Sequence, residues 1–319
     1  MQNNAEENFL STLGLERVAI SLCWHRQGGR VRLPGAVSAV ACGGTDIVAT
    51  QAGNARCCGQ IPEIQGKRGA KLTSGEGKRV AVLIPAAGSA KRIGADKNKA
   101  LLYIGGVPMI RQTVRIFQEH PAIGQICLAV RKSDSAEFEK LFGGAEEGRK
   151  IVGLVEGGDH RQESVWLAME ALRDDPPDWV LVHDGARPFC SMDLLERVLA
   201  GLHRAPAVVP VIPIHDTVRR IESACSEVLQ RESLYRCQTP QGFHWGTLRN
   251  AHLKARETGL RGTDDAQLVE VCGEGLEFVE GEVRNLKITT NTDLSVAEWV
   301  LENRRWGMAP AGAGSGDLS

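Results

Sequence analysis

No run in this chain approaches the roughly 18 consecutive apolar residues of a membrane-spanning helix, so no membrane partner is expected. Net charge is lacking as well. Thirty-eight Lys and Arg stand against 39 Asp and Glu, a balance of −1 over 319 residues. That removes any global argument for nucleic acid or an anionic surface, and phosphate affinity, where it exists, must be local. The N-terminus offers Glu6 and Glu7 before its first cation, Arg17, a poor secretory or transit signal. None of the nine cysteines (Cys23, Cys42, Cys57, Cys58, Cys127, Cys190, Cys225, Cys237 and Cys272) are spaced as CxxC, and their number is odd. A reduced cytoplasmic setting without a zinc site is expected, with Cys127 in ICLAV a small buried hydrophobe. GxGxxG is absent, and so is the Gly-Lys-Ser/Thr of Walker A, which excludes the fingerprints of Rossmann dehydrogenases and P-loop NTPases.

What is present is an ordinary globular composition, 42% hydrophobic, and one segment of unusual content: VAVLIPAAGSAKRIGADKNK, residues 80–99. An apolar strand stops at Pro85. Small residues follow (Ala86, Ala87, Gly88, Ser89, Ala90), and then the cations Lys91, Arg92 and Lys99. Small side chains let backbone N–H groups approach an anion, and the cations neutralise it, so the segment describes a phosphate cradle suited to a nucleoside triphosphate.

Residues 1–78 hold four of the nine cysteines and no sustained period. They are expected to be a poorly ordered extension ending in a glycine-bearing basic linker (66–79), or sequence upstream of the true start, and 306–319 a flexible tail. Between them, strand-like runs at 80–84, 126–130, 151–155, Trp179–Val182 and 207–212 alternate with helical spacing at 107–120, 164–172 and 194–202. Val107, Ile110, Val114 and Phe117 share one helix face. That alternation predicts an α/β domain over 79–305, with a mostly parallel, Rossmann-like sheet covered on both faces and ligands at the strand carboxyl ends. From about 213 to 235 the rhythm breaks. Charged residues alternate with Val218, Ile221, Val228 and Leu229, with 223–226 a plausible turn. This fits a projecting β-arm that pairs with a second subunit and, equally, a long solvated loop.

Five further motifs carry candidate chemistry. In VLVHDGARP (180–188) a strand ends at His183-Asp184 and an Asp-Gly turn brings Arg187 near; the carboxylate suits Mg²⁺ or a substrate hydroxyl, and the arginine a phosphate. EGGDHRQESV (156–165) sets Gly157-Gly158, Asp159, Arg161 and Ser164 between strand and helix, as a nucleotide site or simply a capped helix. RESLYRCQTPQGF (231–243) carries Arg231 and Thr239. In GTDDAQLVE, Thr263 reads as a helix cap with Asp264 and Asp265 in the first turn. In RNLKITTNTDL, Lys287 reads as part of a short strand before the last helix.

Taken in order, PAAGSAKRI, GGDHRQESV, HDGARP, HDTVRR, TPQGF, TDDA and NLKIT resemble the 2-C-methyl-D-erythritol 4-phosphate cytidylyltransferases of the non-mevalonate isoprenoid pathway, from about residue 79 to 304. The resemblance implies a nucleotidyltransferase-type α/β fold, Mg²⁺ held mainly by CTP phosphates, and a homodimer joined by the β-arm. It implies that Ala86, Ala87 and Gly88 hold the triphosphate through backbone groups, with Arg92 and Lys99 as its cations. Gly158, Asp159 and Ser164 would recognise cytosine and ribose. Asp184, Arg187, Thr217 and Thr239 would meet methylerythritol phosphate, Arg231 would reach the partner's site, and Lys287 would lie between the two phosphates. Members of that family often read Pro-Lys-Gln where this chain has Asn98-Lys99-Ala100. Lys97 is a competitor for the role of Lys99, which the register of Leu101, Leu102 and Ile104 favours.

Two polyanions must meet in such a reaction, so charge neutralisation is the main catalytic task, and a phosphate dianion needs no general base. His183 and His215 are accordingly expected to be structural. The alternatives are ribitol 5-phosphate as acceptor and a non-catalytic CTP sensor.

Overall fold

The computed structural model describes residues 37–38, 50–51, 77–88, 98–144, 146–222 and 225–303. Within residues 1–61, Val37–Ser38 pairs antiparallel with Thr50–Gln51. The expected extension is otherwise outside the described residues, as are Lys91, Arg92, Lys97 and the tail.

In the second unit, β1 (Val80–Pro85) is buried along almost its whole length, and its side chains alternate between two cores. Val80, Val82 and Ile84 enter one, and Ala81 and Leu83 the other, the period of two that a strand covered on both faces requires. β2 (Ile123–Val130) and β4 (Trp179–Val182) divide in the same way. The first core is roofed by α1 (Met109–Glu119), α2 (Ser135–Phe142) and α4 (Met192–Gly201), through Ile110, Val114, Phe117, Phe138, Leu195 and Val198. The second is roofed by α3 (Arg161–Glu170), α5 (Trp245–Thr258) and α6 (Asp265–Val271). Each fully buried Val, Leu, Ile or Phe contributes about 1.5–3 kcal/mol, so this three-layer sandwich supplies most of the drive to fold.

With β3 (Ile151–Glu156), the sheet runs in the order β3-β2-β1-β4, all parallel. β9 (Gln241–His244) then inserts antiparallel between β4 and β5 (Ala207–Pro213). β8 (Tyr235–Cys237) continues antiparallel along β5, and β10 (Glu277–Glu280) pairs parallel with it. The mostly parallel α/β sheet expected from the alternation is thus observed. Connections leave β1 in one direction and β4 in the other, so their carboxyl ends form a topological switch point, where open α/β sheets bind ligands.

Of the two readings left open for 213–235, the structure has the hairpin. β6 (Val218–Glu222) pairs antiparallel with β7 (Cys225–Leu229), so Cys225 and Ser226 of the expected turn are in a strand, and its residues 223–224 lie outside the described residues. Arg220 meets Glu227 across the strands at 3.2 Å, while Ile221 and Val228 are 72% and 51% exposed.

Two expectations change. Lys287 is not in a strand: residues 286–289 make no ladder, and a backbone bond from the Ile288 N–H to the Ala186 carbonyl (2.9 Å) ties them to the sheet end. The cap of α6 is Asp264, which accepts from the Gln267 N–H at 3.0 Å; Thr263 instead bonds the Gln267 side chain, and Asp265 turns inward. No described helix is long and apolar enough to cross a membrane.

Candidate active site

The end of β1 carries the first motif. Ala86 N–H donates to the Ala129 carbonyl at 2.7 Å, which fixes the small-residue loop against β2. Its far side returns through Asn98, which is buried and spans three groups. Its Nδ2 donates to the Ala86 carbonyl and to Asp134 Oδ2, both at 2.7 Å, and its Oδ1 accepts from the Ala100 N–H at 2.9 Å. Lys99 N–H donates to the Gly88 carbonyl at 3.1 Å, so Lys99 begins its short 3₁₀ turn (Lys99–Leu101) directly against Ala86–Gly88. Arg92 lies outside the described residues.

The other motifs meet this loop at two glycines, of which only Gly157 admits no side chain. A methyl on Gly157 would sit 2.8 Å from Ala87 Cβ and 3.0 Å from Ser164 Oγ, so only hydrogen fits between loop and helix. A methyl on Gly185 would lie 3.5 Å from Ala86 Cβ. The Ser164 hydroxyl is buried and donates to the His160 carbonyl at 3.1 Å. Asp159 is exposed beside Gly158, and its N–H donates to Glu163 Oε2 at 3.0 Å.

At the end of β4 sits a cluster of charge. Asp184 is buried, with Arg161 Nε 3.1 Å from Oδ1, and Lys287 Nζ at 2.8 Å and Arg187 Nε at 3.5 Å from Oδ2. Arg161 reaches on with its second nitrogen to Asp265 Oδ2 at 2.6 Å, and Asp265 Oδ1 meets His252 Nε2 at 2.9 Å. Burial alone would raise the Asp184 carboxyl; the charges of Arg161, Lys287 and Arg187 outweigh it and hold the group far below the usual carboxylate range. At Asp265 burial is likewise overcome, by Arg161 and the His252 hydrogen bond, and the carboxyl falls to about 2. The cluster has three cations against two carboxylates, a surplus of one positive charge. The cations differ in access: the side chains of Arg187, Arg161 and Lys287 are 10%, 26% and 41% exposed. The surplus charge faces solvent as Lys287.

The backbone explains that placement. Ile288 is fully buried in a small core with Ile104, Met109, Ala186 and Ala297, and α7 (Asn291–Glu302), capped by Thr290 and Asp293, closes over it. With Ile288 anchored inward, the Lys287 side chain beside it stays 41% exposed, its Nζ on Asp184. Asn285 pins the preceding residues, donating to the Thr239 carbonyl at 2.8 Å while its own carbonyl accepts from Arg187 at 2.7 Å.

Under the cluster, the Asp184 N–H donates to Thr239 Oγ1 (3.0 Å), which lies 3.2 Å from His183 Nδ1; His183 Nε2 lies 3.0 Å from the Arg187 carbonyl. Burial pushes the His183 imidazole down to about 4. It is therefore neutral at pH 7, donating through Nε2 to the carbonyl and accepting the Thr239 proton at Nδ1. His183 supports the turn, as expected. The Thr239 hydroxyl is committed to the same support, and Arg187 is engaged largely by carbonyls and Asp184.

The structure thus brings Ala86, Ala87, Gly88, Lys99, Gly158, Asp159, Ser164, Asp184, Arg187, Thr239 and Lys287 to one edge of the sheet. Thr217 and Arg231 stand apart at the exposed foot of the arm, where Arg231 donates to the His215 carbonyl at 2.7 Å. Arg161, Asp265 and His252 did not stand out in the sequence as a linked set. The signal for His252 was its spacing with Leu248, Ala251 and Ala255 on the inward face of α5.

A small-residue phosphate loop beside a cationic cluster, at the switch point of a parallel α/β sheet, defines a domain that handles nucleotides and phosphates. Comparison with known proteins makes this specific. The family model described as 2-C-methyl-D-erythritol 4-phosphate cytidylyltransferase matches residues 80–303, and the chain belongs to that family of nucleotidyltransferase enzymes. The 2-C-methyl-D-erythritol 4-phosphate cytidylyltransferase of Bacillus cytotoxicus is 40% identical over 226 residues, 70% of this chain and 98% of that one. That of Bacillus licheniformis is 38% identical over 222 residues, 69% and 95% of the two chains. Among solved structures, the enzyme of that name from Thermus thermophilus is 40% identical with a TM-score of 0.58, over 70% of this chain and 99% of that one. The 4-diphosphocytidyl-2C-methyl-D-erythritol synthase from Anaerococcus prevotii is 30% identical with a TM-score of 0.62, again over 70% and 99%.

Proposed function

We propose that the chain transfers the cytidylyl group of CTP to 2-C-methyl-D-erythritol 4-phosphate. The acceptor phosphate attacks the α-phosphorus in line, a P–O bond forms, and the bond to the β-phosphate oxygen breaks, releasing pyrophosphate. The products are 4-diphosphocytidyl-2-C-methyl-D-erythritol and pyrophosphate, formed in the cytoplasm. The observation that carries this reading is the surplus cation, Lys287, held 2.8 Å from Asp184. Backbone groups of Ala86, Ala87 and Gly88, with Arg92 and Lys99, take the triphosphate. Gly158, Asp159 and Ser164 shape the cytidine side, and Asp184, Arg187 and Thr239 the acceptor side, which Thr217, apart on the arm with Arg231, would reach across a dimer. Lys287 then neutralises charge between the two phosphates as the transition state forms.

Mg²⁺ fits this site as a companion of the nucleotide, since both Asp184 oxygens face cations. The ion would be coordinated mainly by CTP phosphates and would supply further neutralisation there. The exposed arm, with Ile221 and Val228 on its surface, suits a homodimer in which Arg231 reaches the partner's site.

The test is pyrophosphate release from CTP and Mg²⁺ with methylerythritol 4-phosphate and ribitol 5-phosphate side by side. Release with the first alone is expected. Release with the second alone would overturn the acceptor, and CTP binding without release from either would make the chain a sensor.

A further inference from the structure

Among the described residues Arg161 is the one side chain that touches both buried carboxylates of the cluster, and it comes from the first position of α3, two residues after Asp159. Without Lys287 the cluster is still balanced: Arg161 and Arg187 stand against Asp184 and Asp265. Without Arg161, two buried carboxylates would face Arg187 and Lys287. Lys287 would then be needed where it is, because an unpaired buried charge costs several kcal/mol. The guanidinium geometry suits the bridging role, since its rigid fork presents separate nitrogens to the two acids, which a single ammonium cannot do. The Asp265–His252 bond fixes the far end of the bridge, and His252 stacks on Trp166 of α3 itself, 6.3 Å between ring centroids.

We propose that Arg161 is a positioning residue for the transfer reaction: by bridging Asp184 and Asp265 it balances the buried charge, so that Lys287 can leave Asp184 for an incoming phosphate. Arg161 meets no reacting atom. It acts through Asp184 on Lys287, and the proposal rests on the role given to Lys287 above.

A double-mutant cycle tests this. Arg161→Gln is expected to lower kcat about tenfold or more while leaving KM for CTP within about threefold. Because the effect runs through Lys287, Arg161→Gln combined with Lys287→Ala should be within about twofold of Lys287→Ala alone. Losses that multiply, or a rise in KM for CTP that accounts for the whole loss, would overturn the proposal. Circular dichroism checks each fold. If Arg161→Gln does not fold, the cycle is run with Arg161→Lys, which keeps the charge and loses the fork, with the same non-additivity expected. A wild-type chain that releases no pyrophosphate would count against the function and not against this inference; the cycle would then be read as the dissociation constant of inorganic pyrophosphate, where additive losses would again overturn it.

Discussion

Asp265 shows how much of this site depends on partners rather than on residue type. Its carboxyl titrates at about 2 in the fold against an ordinary 3.8, so the pairing contributes stability that is full above about pH 4 and is lost as pH falls through 2. Asp265→Asn should therefore flatten the decline of the urea midpoint between pH 4 and 3. At pH 7 it should destabilise the chain by about 3–5 kcal/mol, since Arg161 loses a buried anion. A midpoint that falls as steeply as in the wild type would contradict the pairing. The sequence displayed Asp184 and Arg187 as chemistry-bearing residues, because VLVHDGARP changes abruptly from apolar to polar, whereas Lys287 drew a role only from the resemblance. It did not display that Asp265 belongs with them: 104 residues separate it from Arg161, and a charged residue in a first helical turn looks the same whether it caps or turns inward. Thr239 is a related case, its hydroxyl serving His183 and the Asp184 N–H from the segment between β8 and β9.

At the scale of elements, the phosphate loop depends on what lies beneath it. Gly157→Ala would press its methyl on Ala87 and Ser164, and is expected to raise KM for CTP with little loss of stability; an unchanged KM would mean that the loop does not depend on this contact. The arm offers a second test. Ile221→Lys removes an exposed apolar side chain from the hairpin, and sedimentation should show weaker self-association than wild type if the arm is a dimer contact. The buried strands and amphipathic helices were legible because two-sided burial writes continuous apolar runs and one-sided burial writes a helical period. β9 was not. Its residues, Gln241, Gly242, Phe243 and His244, have no run or alternation, and they form a strand because β4 and β5 leave a slot between them. Lys287-Ile288-Thr289 looked like a strand from composition, but it crosses the sheet end to meet Ala186, where no ladder is available.

For the whole molecule, the match over 80–303 and the relatives' near-complete coverage place the enzyme in the second unit. A chain beginning at residue 77 is expected to turn over CTP at the full chain's level, and a marked loss would assign residues 1–76 a part in the reaction. The family match begins at residue 80, where a glycine-bearing basic stretch gives way to a buried strand. The three-layer architecture followed from the alternation, while the closing of six separate motifs on one sheet edge is a property of topology that no single motif contains. The central claim is that a surplus cation beside Asp184 neutralises the meeting phosphates. The most direct measurement is kcat of Lys287→Ala with CTP and methylerythritol 4-phosphate, both saturating and the fold verified. A fall of roughly 100-fold or more is predicted; a loss below about threefold would contradict the account.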